Sequence, residues 1–283
     1  MATPNIAYDP VAHAPPEDNA PAVAGGSRLT RAYFRSHRAL NGFTRAMSAS
    51  YIGFWLGVLT RSHLLEIGER YFNQQAAYWS EEYNKEGLFV WEQRVVEREF
   101  QGCRRLLVPA AGGGREVVAL RRLGYEVQGF EAHPGLVGVA NQLLEKEGMA
   151  PDVVNAPWDG CPPLDGVFDG IIVGWGAYMH IRGRESREAF LRELRSKIVP
   201  GGPILLSFFS IPKDTRYFRT IARIGNTLAR VLGRDRVQVG DCLAPYYAHF
   251  FTPQRLTTEL VEGGFELVSF DHLEYGHAVG RAV

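Results

Sequence analysis

Cysteine is scarce in this chain: Cys103, Cys161 and Cys242 are three in 283 residues, odd in number and without paired spacing. That argues against a disulfide framework or a zinc site and fits a reducing cytoplasm. Net charge is absent as well, with 31 basic residues balancing 31 acidic ones. A neutral chain lacks the global basic field of a nucleic-acid binder, so a nucleic-acid substrate is disfavoured. Long apolar runs are missing, since Tyr51–Leu59 is too short to span a bilayer. Residues 1–26, rich in Ala, Pro, Asn and Gly, lack the basic start and apolar core of a signal peptide and read as a disordered leader.

One absence is local. Between Asn19 and Leu65 there is no Asp or Glu, while Arg28, Arg31, Arg35, Arg38, Arg45 and Arg61 all fall there. Arg31, Arg35 and Arg38 recur at helical spacing ahead of the Trp- and Phe-containing run Tyr51–Leu59. Two readings stay open for residues 28–65: peripheral contact with an anionic membrane, or a solvated basic face beside a helix packed in the protein. Residues 27–100 as a whole read as a helical extension. Its segment Tyr71–Tyr83, aromatic at 71, 72, 78, 79 and 83, fits either core contacts or pocket walls.

What the chain does have is a ligand loop. Leu106–Val108 reads as a buried strand, Gly112, Gly113 and Gly114 as a tight turn, and Glu116–Leu123 as the helix that leaves it. A second strand, Tyr125–Phe130, ends on Glu131. Glycines admit a ligand close to the backbone, and a carboxylate closing the neighbouring strand can accept hydrogen bonds from ribose hydroxyls. The pairing points to an adenosine-containing cofactor. A dinucleotide loop would carry a third glycine where Val117 stands, which makes an NAD-dependent oxidoreductase the lesser reading.

On these residues the chain resembles the class I S-adenosylmethionine-dependent methyltransferases, whose first motif reads acidic-x-Gly-x-Gly-x-Gly. Gly112 and Gly114 fall on its second and third glycines, whereas Ala110 replaces the first and Val108 the acid. Arg115 and Glu116 are candidates to orient the loop in place of that acid, or else form the polar first turn of the helix. The resemblance extends over residues 100–283: Asp152–Asn155 as a third strand, Val167–Gly174 as a fourth, helix Ser186–Arg195, the turn Val199–Pro203 and strand Ile204–Phe209. A helix capped by Thr252 and Pro253 and stopped at Gly263 precedes the terminal strands Phe265–Asp271 and Tyr275–Val283.

The resemblance implies an α/β, Rossmann-like, seven-stranded and mostly parallel sheet flanked by helices, with an antiparallel last strand and an N-terminal helical lid. The methyltransferase domain would span 101–283, with 211–250 an insertion covering the active site. Its Arg216, Arg219 and Arg223 have the spacing of one helical face, suited to an anionic acceptor or simply solvated. Cofactor contacts fall on Ala110, Gly112, Gly113, Gly114, Glu131, Ala132, Asn155 and Gly174, with His133 flanking the adenine. For acceptor chemistry the loop Gly174–Ile181 offers His180 and Tyr178, which could equally be structural. Tyr246, Tyr247 and His249 are candidates for substrate contact. The expected activity is methyl transfer to a small-molecule acceptor, possible alternatives in class being a noncatalytic cofactor-binding or membrane-associated module.

Overall fold

The structure, a computed structural model, describes residues 27–212, 215–243, 245–272 and 275–283. The sequence-based leader, 1–26, lies outside them. In chain order the helical segments are α1 (Arg28–Val58), α2 (Arg61–Gln74), α3 (Ala76–Trp79), α4 (Glu81–Lys85) and α5 (Val90–Glu99). Then come β1 (Arg105–Pro109), α6 (Arg115–Arg122), β2 (Glu126–Glu131), α7 (Pro134–Lys146), β3 (Val153–Asn155) and β4 (Gly170–Ile172). A 3-10 turn, Ala177–His180, leads to α8 (Arg184–Arg195), β5 (Pro203–Ser207), α9 (Arg216–Leu232), β6 (Asp241–Leu243) and β7 (Tyr247–His249). The chain closes with α10 (Pro253–Glu262), β8 (Phe265–Asp271) and β9 (His277–Ala282).

Two compact units divide the described residues: 68–210 with 249–283, and 27–67 with 211–248. The division differs from the sequence-based segments, because helices of 68–100 group with the sheet while 27–67 groups with the insertion. The first unit holds the seven-stranded sheet in the order β3-β2-β1-β4-β5-β9-β8. The pairs among β1 to β5 are parallel, and β9 runs antiparallel to both β5 and β8. Strands β1, β4 and β5, central in the sheet, read as near-continuous apolar runs, as expected where both faces of such a sheet are covered; Leu106, Leu107, Val108, Ile171 and Leu205 are all buried.

Two of the strands that are shorter than their sequence pattern predicts start beside a carboxylate. Asp169 accepts the backbone N–H groups of Arg104 and Arg105, both at 2.8 Å, and so anchors the start of β4 instead of extending it. Asp152 pairs with Arg121, which leaves β3 only Val153–Asn155. The helix after β7 is capped as expected, Thr252 Oγ1 accepting from the Arg255 N–H and Pro253 opening the first turn. Its left-handed terminating residue is Gly264, φ 86°, one beyond the predicted Gly263.

In the second unit, α1 packs along α9. Their backbones touch closely: a Cβ on Gly53 would sit 2.7 Å from the Ile221 carbonyl oxygen, and one on Gly57 2.6 Å from that of Gly225. Ser48 and Tyr217 share a 2.9 Å hydrogen bond, with Arg45 over the same tyrosine ring. The predicted basic helix and the Trp- and Phe-containing helix are thus one continuous helix of 31 residues. Nothing in 28–58 breaks it, since the glycines at 42, 53 and 57 are isolated ones that a helix tolerates.

Candidate cofactor and acceptor site

The loop Ala110–Gly114 runs from β1 to the first turn of α6, and alternate residues in it are left-handed: Ala110 at φ 54°, Gly112 at 54° and Gly114 at 95°. Ala110 is the sole non-glycine with positive φ among the described residues, a conformation that costs an L-residue roughly 1–2 kcal/mol. Gly113 is compelled by space, because a Cβ there would strike the Asn84 side-chain amide and lie 2.6 Å from the Tyr78 carbonyl oxygen. The Asn84 amide in turn donates to the Tyr78 and Ser80 carbonyls, each at 2.9 Å. Helices α3 and α4 therefore cover the glycine loop directly.

Val117 does not crowd the packing of α6 on the sheet. Room for it is made from the opposite side, where a Cβ on Gly129 of β2 would meet Val117 Cγ2 at 3.1 Å. The small residue that a dinucleotide loop places on the helix is here on the strand.

Glu131 ends β2 in register with Asn155 of β3. It is 7% exposed, and its carboxylate accepts the N–H groups of Gly112 and His133, both at 2.8 Å, fastening the glycine loop to the end of the sheet. Burial pushes this carboxyl above its ordinary value, against the pull of the His133, Gly112 and Ala132 N–H groups. Asn155 donates its amide to the carbonyls of Glu131, at 3.0 Å, and Ala132, at 3.1 Å, which leaves its amide oxygen for another donor. Beside them the imidazole of His133 is buried with neither ring nitrogen hydrogen-bonded among the described residues, and Trp79 packs edge-on to it at 5.5 Å. An apolar slot opens next to these groups, lined by Ala110, Phe130, Ala132, Trp158, Val173 and Ile181. An apolar slot of aromatic and aliphatic side chains with a carboxylate and an unbonded buried imidazole at its edge fits an adenosine moiety.

The acidic position of the motif is filled by buried Val108. Its linking role falls to a buried ion cluster. Arg115 bonds both oxygens of Glu92 at 2.8 Å, Glu116 at 2.7 Å and the Gly87 carbonyl at 2.8 Å, with its guanidinium 3.9 Å above the Phe89 ring. Glu116 also accepts the Trp175 backbone N–H at 3.2 Å, tying α6 to the segment after β4. The Arg115 guanidinium is thus spoken for by protein groups. Sequence reasoning missed Glu92, which comes from α5 and carries no local signal of its partner.

After β4, Gly174 donates to the Pro109 carbonyl at 2.7 Å, and a Cβ there would overlap the Ala110 carbonyl oxygen. Further on, a Cβ on left-handed Gly176 would lie 3.6 Å from the Tyr275 hydroxyl and 4.0 Å from His180 Nε2. Trp175 Nε1 is buried with no hydrogen-bond partner among the described residues, and its ring packs against Tyr275 at 5.0 Å. Phe72 of α2 meets the His180 ring edge-on at 5.8 Å. The sequence pattern places Tyr275 in the terminal strand and not in the site; in the structure it precedes β9 and reaches Gly176.

The other predicted acceptor residues are all buried. Tyr178 is fully buried, its hydroxyl donating to Glu259 at 2.7 Å while Arg187 forms two bonds to the same carboxylate. Burial and then the Glu259 charge hold the phenol pKa well above its ordinary value. Tyr246 and Tyr247 are buried in the second unit, the Tyr247 hydroxyl donating to Asp241 at 2.8 Å. His249 is buried in the first unit, edge-on to Phe251 at 4.8 Å.

Comparison with known proteins agrees with this geometry. The family described as methyltransferase domain matches residues 106–202. A demethylmenaquinone methyltransferase of Thermus thermophilus is 27% identical over 199 residues, 66% of this chain and 86% of that protein. Among solved structures, an S-adenosylmethionine-dependent methyltransferase from Methanosarcina mazei shares the fold with a TM-score of 0.55 at 17% identity, over 70% of this chain and 99% of that one. One from Clostridium acetobutylicum gives 0.50 at 11%, over 67% and 88%. Residues 106–202 thus carry a methyltransferase domain, on the fold shared with S-adenosylmethionine-dependent methyltransferases. Its cofactor is S-adenosylmethionine, and it is an enzyme of methyl transfer; the nicotinamide and noncatalytic readings are set aside.

Proposed function

We propose that the protein methylates a small-molecule acceptor, anionic or lipid-linked, bound beside the segment Gly174–Ile181. The observation that carries this is the gathering of the Trp175 indole N–H, His180 and the Tyr275 hydroxyl around Gly176, where the exit of β4 meets the end of the sheet that also holds the glycine loop. The acceptor class is supported by the name of the 27%-identical relative, whose acceptor is demethylmenaquinone.

S-adenosylmethionine brings a methyl group already activated on a sulfonium, so the protein's contribution is mainly positioning and exclusion of water. In this reading Glu131 accepts the ribose hydroxyls, His133 and the Asn155 amide oxygen serve the adenosine, and Ala132 lines the adenine slot. Ala110, Gly112, Gly113, Gly114 and Gly174 let the backbone come close. His180 takes the proton that the acceptor loses, while Tyr275 and Trp175 orient the acceptor. Tyr178 positions the turn through Glu259. Tyr246, Tyr247 and His249 support the framework.

Glu131→Ala is expected to weaken S-adenosylmethionine binding by about 2 kcal/mol or more, from lost charge-assisted hydrogen bonds and a loosened Gly112. An unchanged dissociation constant in calorimetry would remove Glu131 from the ribose. For His180→Ala, turnover on an acceptor found by screening small and lipid-linked anionic metabolites with labelled cofactor is expected to fall roughly a hundredfold, at near-normal cofactor affinity. Tyr275→Phe is expected to raise KM more than it lowers kcat. Wild-type turnover in His180→Ala would leave that residue a structural role only.

A further inference from the structure

Helix α1 carries an exposed apolar face along nearly its whole length. At about 100° per residue, Leu29, Tyr33, Leu40, Phe43, Met47 and Tyr51 fall within roughly 80° of arc. They are all exposed, between 56% at Met47 and 83% at Leu29. The helix does not need this face for its place in the fold. The residues it buries, Ala49, Ile52, Gly53, Leu56 and Gly57, lie on the opposite side, where Gly53 and Gly57 meet α9. Contiguous exposed apolar surface of this extent is rare on a soluble protein and marks a binding surface.

Charge says what kind. The five arginines of α1 fall on the side away from the apolar stripe, and α9 adds Arg216, Arg219, Arg223 and Arg230, all exposed; neither helix contains an Asp or Glu. A helix with an apolar stripe of aromatic and aliphatic residues and an arginine-rich polar face lies in the plane of an anionic lipid interface. Among the described residues no helix is long and apolar enough to cross a membrane. We infer that α1 docks the protein flat on an anionic bilayer surface, the apolar stripe entering the headgroup boundary and the arginines of α1 and α9 supplying attraction. The inference does not depend on which acceptor is methylated.

The test is co-sedimentation of the full chain with vesicles of phosphatidylcholine alone and of phosphatidylcholine mixed with phosphatidylglycerol. Wild-type protein is expected to pellet with the anionic vesicles and to be released by salt. The triple variant L40S, F43S and M47S, altered only at exposed positions, is expected to bind them at least about tenfold more weakly while keeping its helical circular dichroism. The double variant R31Q and R35Q is expected to lose part of the anionic preference. Wild-type protein that stays in the supernatant with both vesicles, or a triple variant that pellets like wild type, would overturn the inference. So would a stripe-dependent dimer in sedimentation velocity without vesicle binding, which would assign the face to a second copy of the chain.

Discussion

Replacing Arg115 with leucine is expected to lower stability by about 3–5 kcal/mol, the range seen when one partner of a buried ion pair is removed. Arg115 is buried between Glu92 and Glu116, which are buried themselves, so its loss leaves two carboxylates without a countercharge. The pH dependence gives the cause away. Burial already raises the Glu92 pKa, and Arg115 is the main influence holding it down. An acid whose folded pKa lies above its unfolded one favours folding below the unfolded value and loses that contribution as pH climbs through the folded value. Without Arg115 the folded pKa rises further. The deficit in Tm should therefore be largest in mildly alkaline buffer and shrink in mildly acidic buffer, where Glu92 takes up a proton. Equal deficits at both would mean that lost packing over Phe89, not uncompensated charge, dominates.

Gly174→Ala is expected to be nearly as costly, about 3 kcal/mol, and to abolish measurable cofactor binding. The three atoms nearest the new methyl are all backbone. It would overlap the Ala110 carbonyl oxygen, with the Ala110 carbonyl carbon at 2.9 Å and the Pro109 oxygen at 3.2 Å. No rotamer change can relieve that. The glycine loop would have to move, and Ala110 is already held in a left-handed conformation. Thermal melts and calorimetry of this variant check both halves, and a wild-type Tm with a wild-type dissociation constant would show that the loop has freedom the geometry denies it.

The half of the site made by consecutive residues was legible in the chain. A strand, a glycine turn, a helix and a strand ending on Glu131 are local patterns, while the mostly parallel sheet with its antiparallel last strand came with the family resemblance and the strand order came only from the structure. What escaped came from far along the chain. Glu92 reaches Arg115 from another helix, and Tyr275 reaches Gly176 from the β8–β9 return; no spacing announces either. Gly129 compensating for Val117 was hidden for the same reason, since the pair meets only when α6 packs on β2. In α1 the apolar period was visible but its exposure was not, because periodicity fixes which residues share a face and leaves open what covers it.

The most direct test is calorimetric titration of the full chain with S-adenosylmethionine and, separately, S-adenosylhomocysteine, with NAD as control. Binding of both sulfur compounds, with dissociation constants on the order of micromolar, and none of NAD is expected from a site built on Glu131, His133 and the Ala110–Gly114 loop. Binding of NAD alone, or of none of the three, would contradict it.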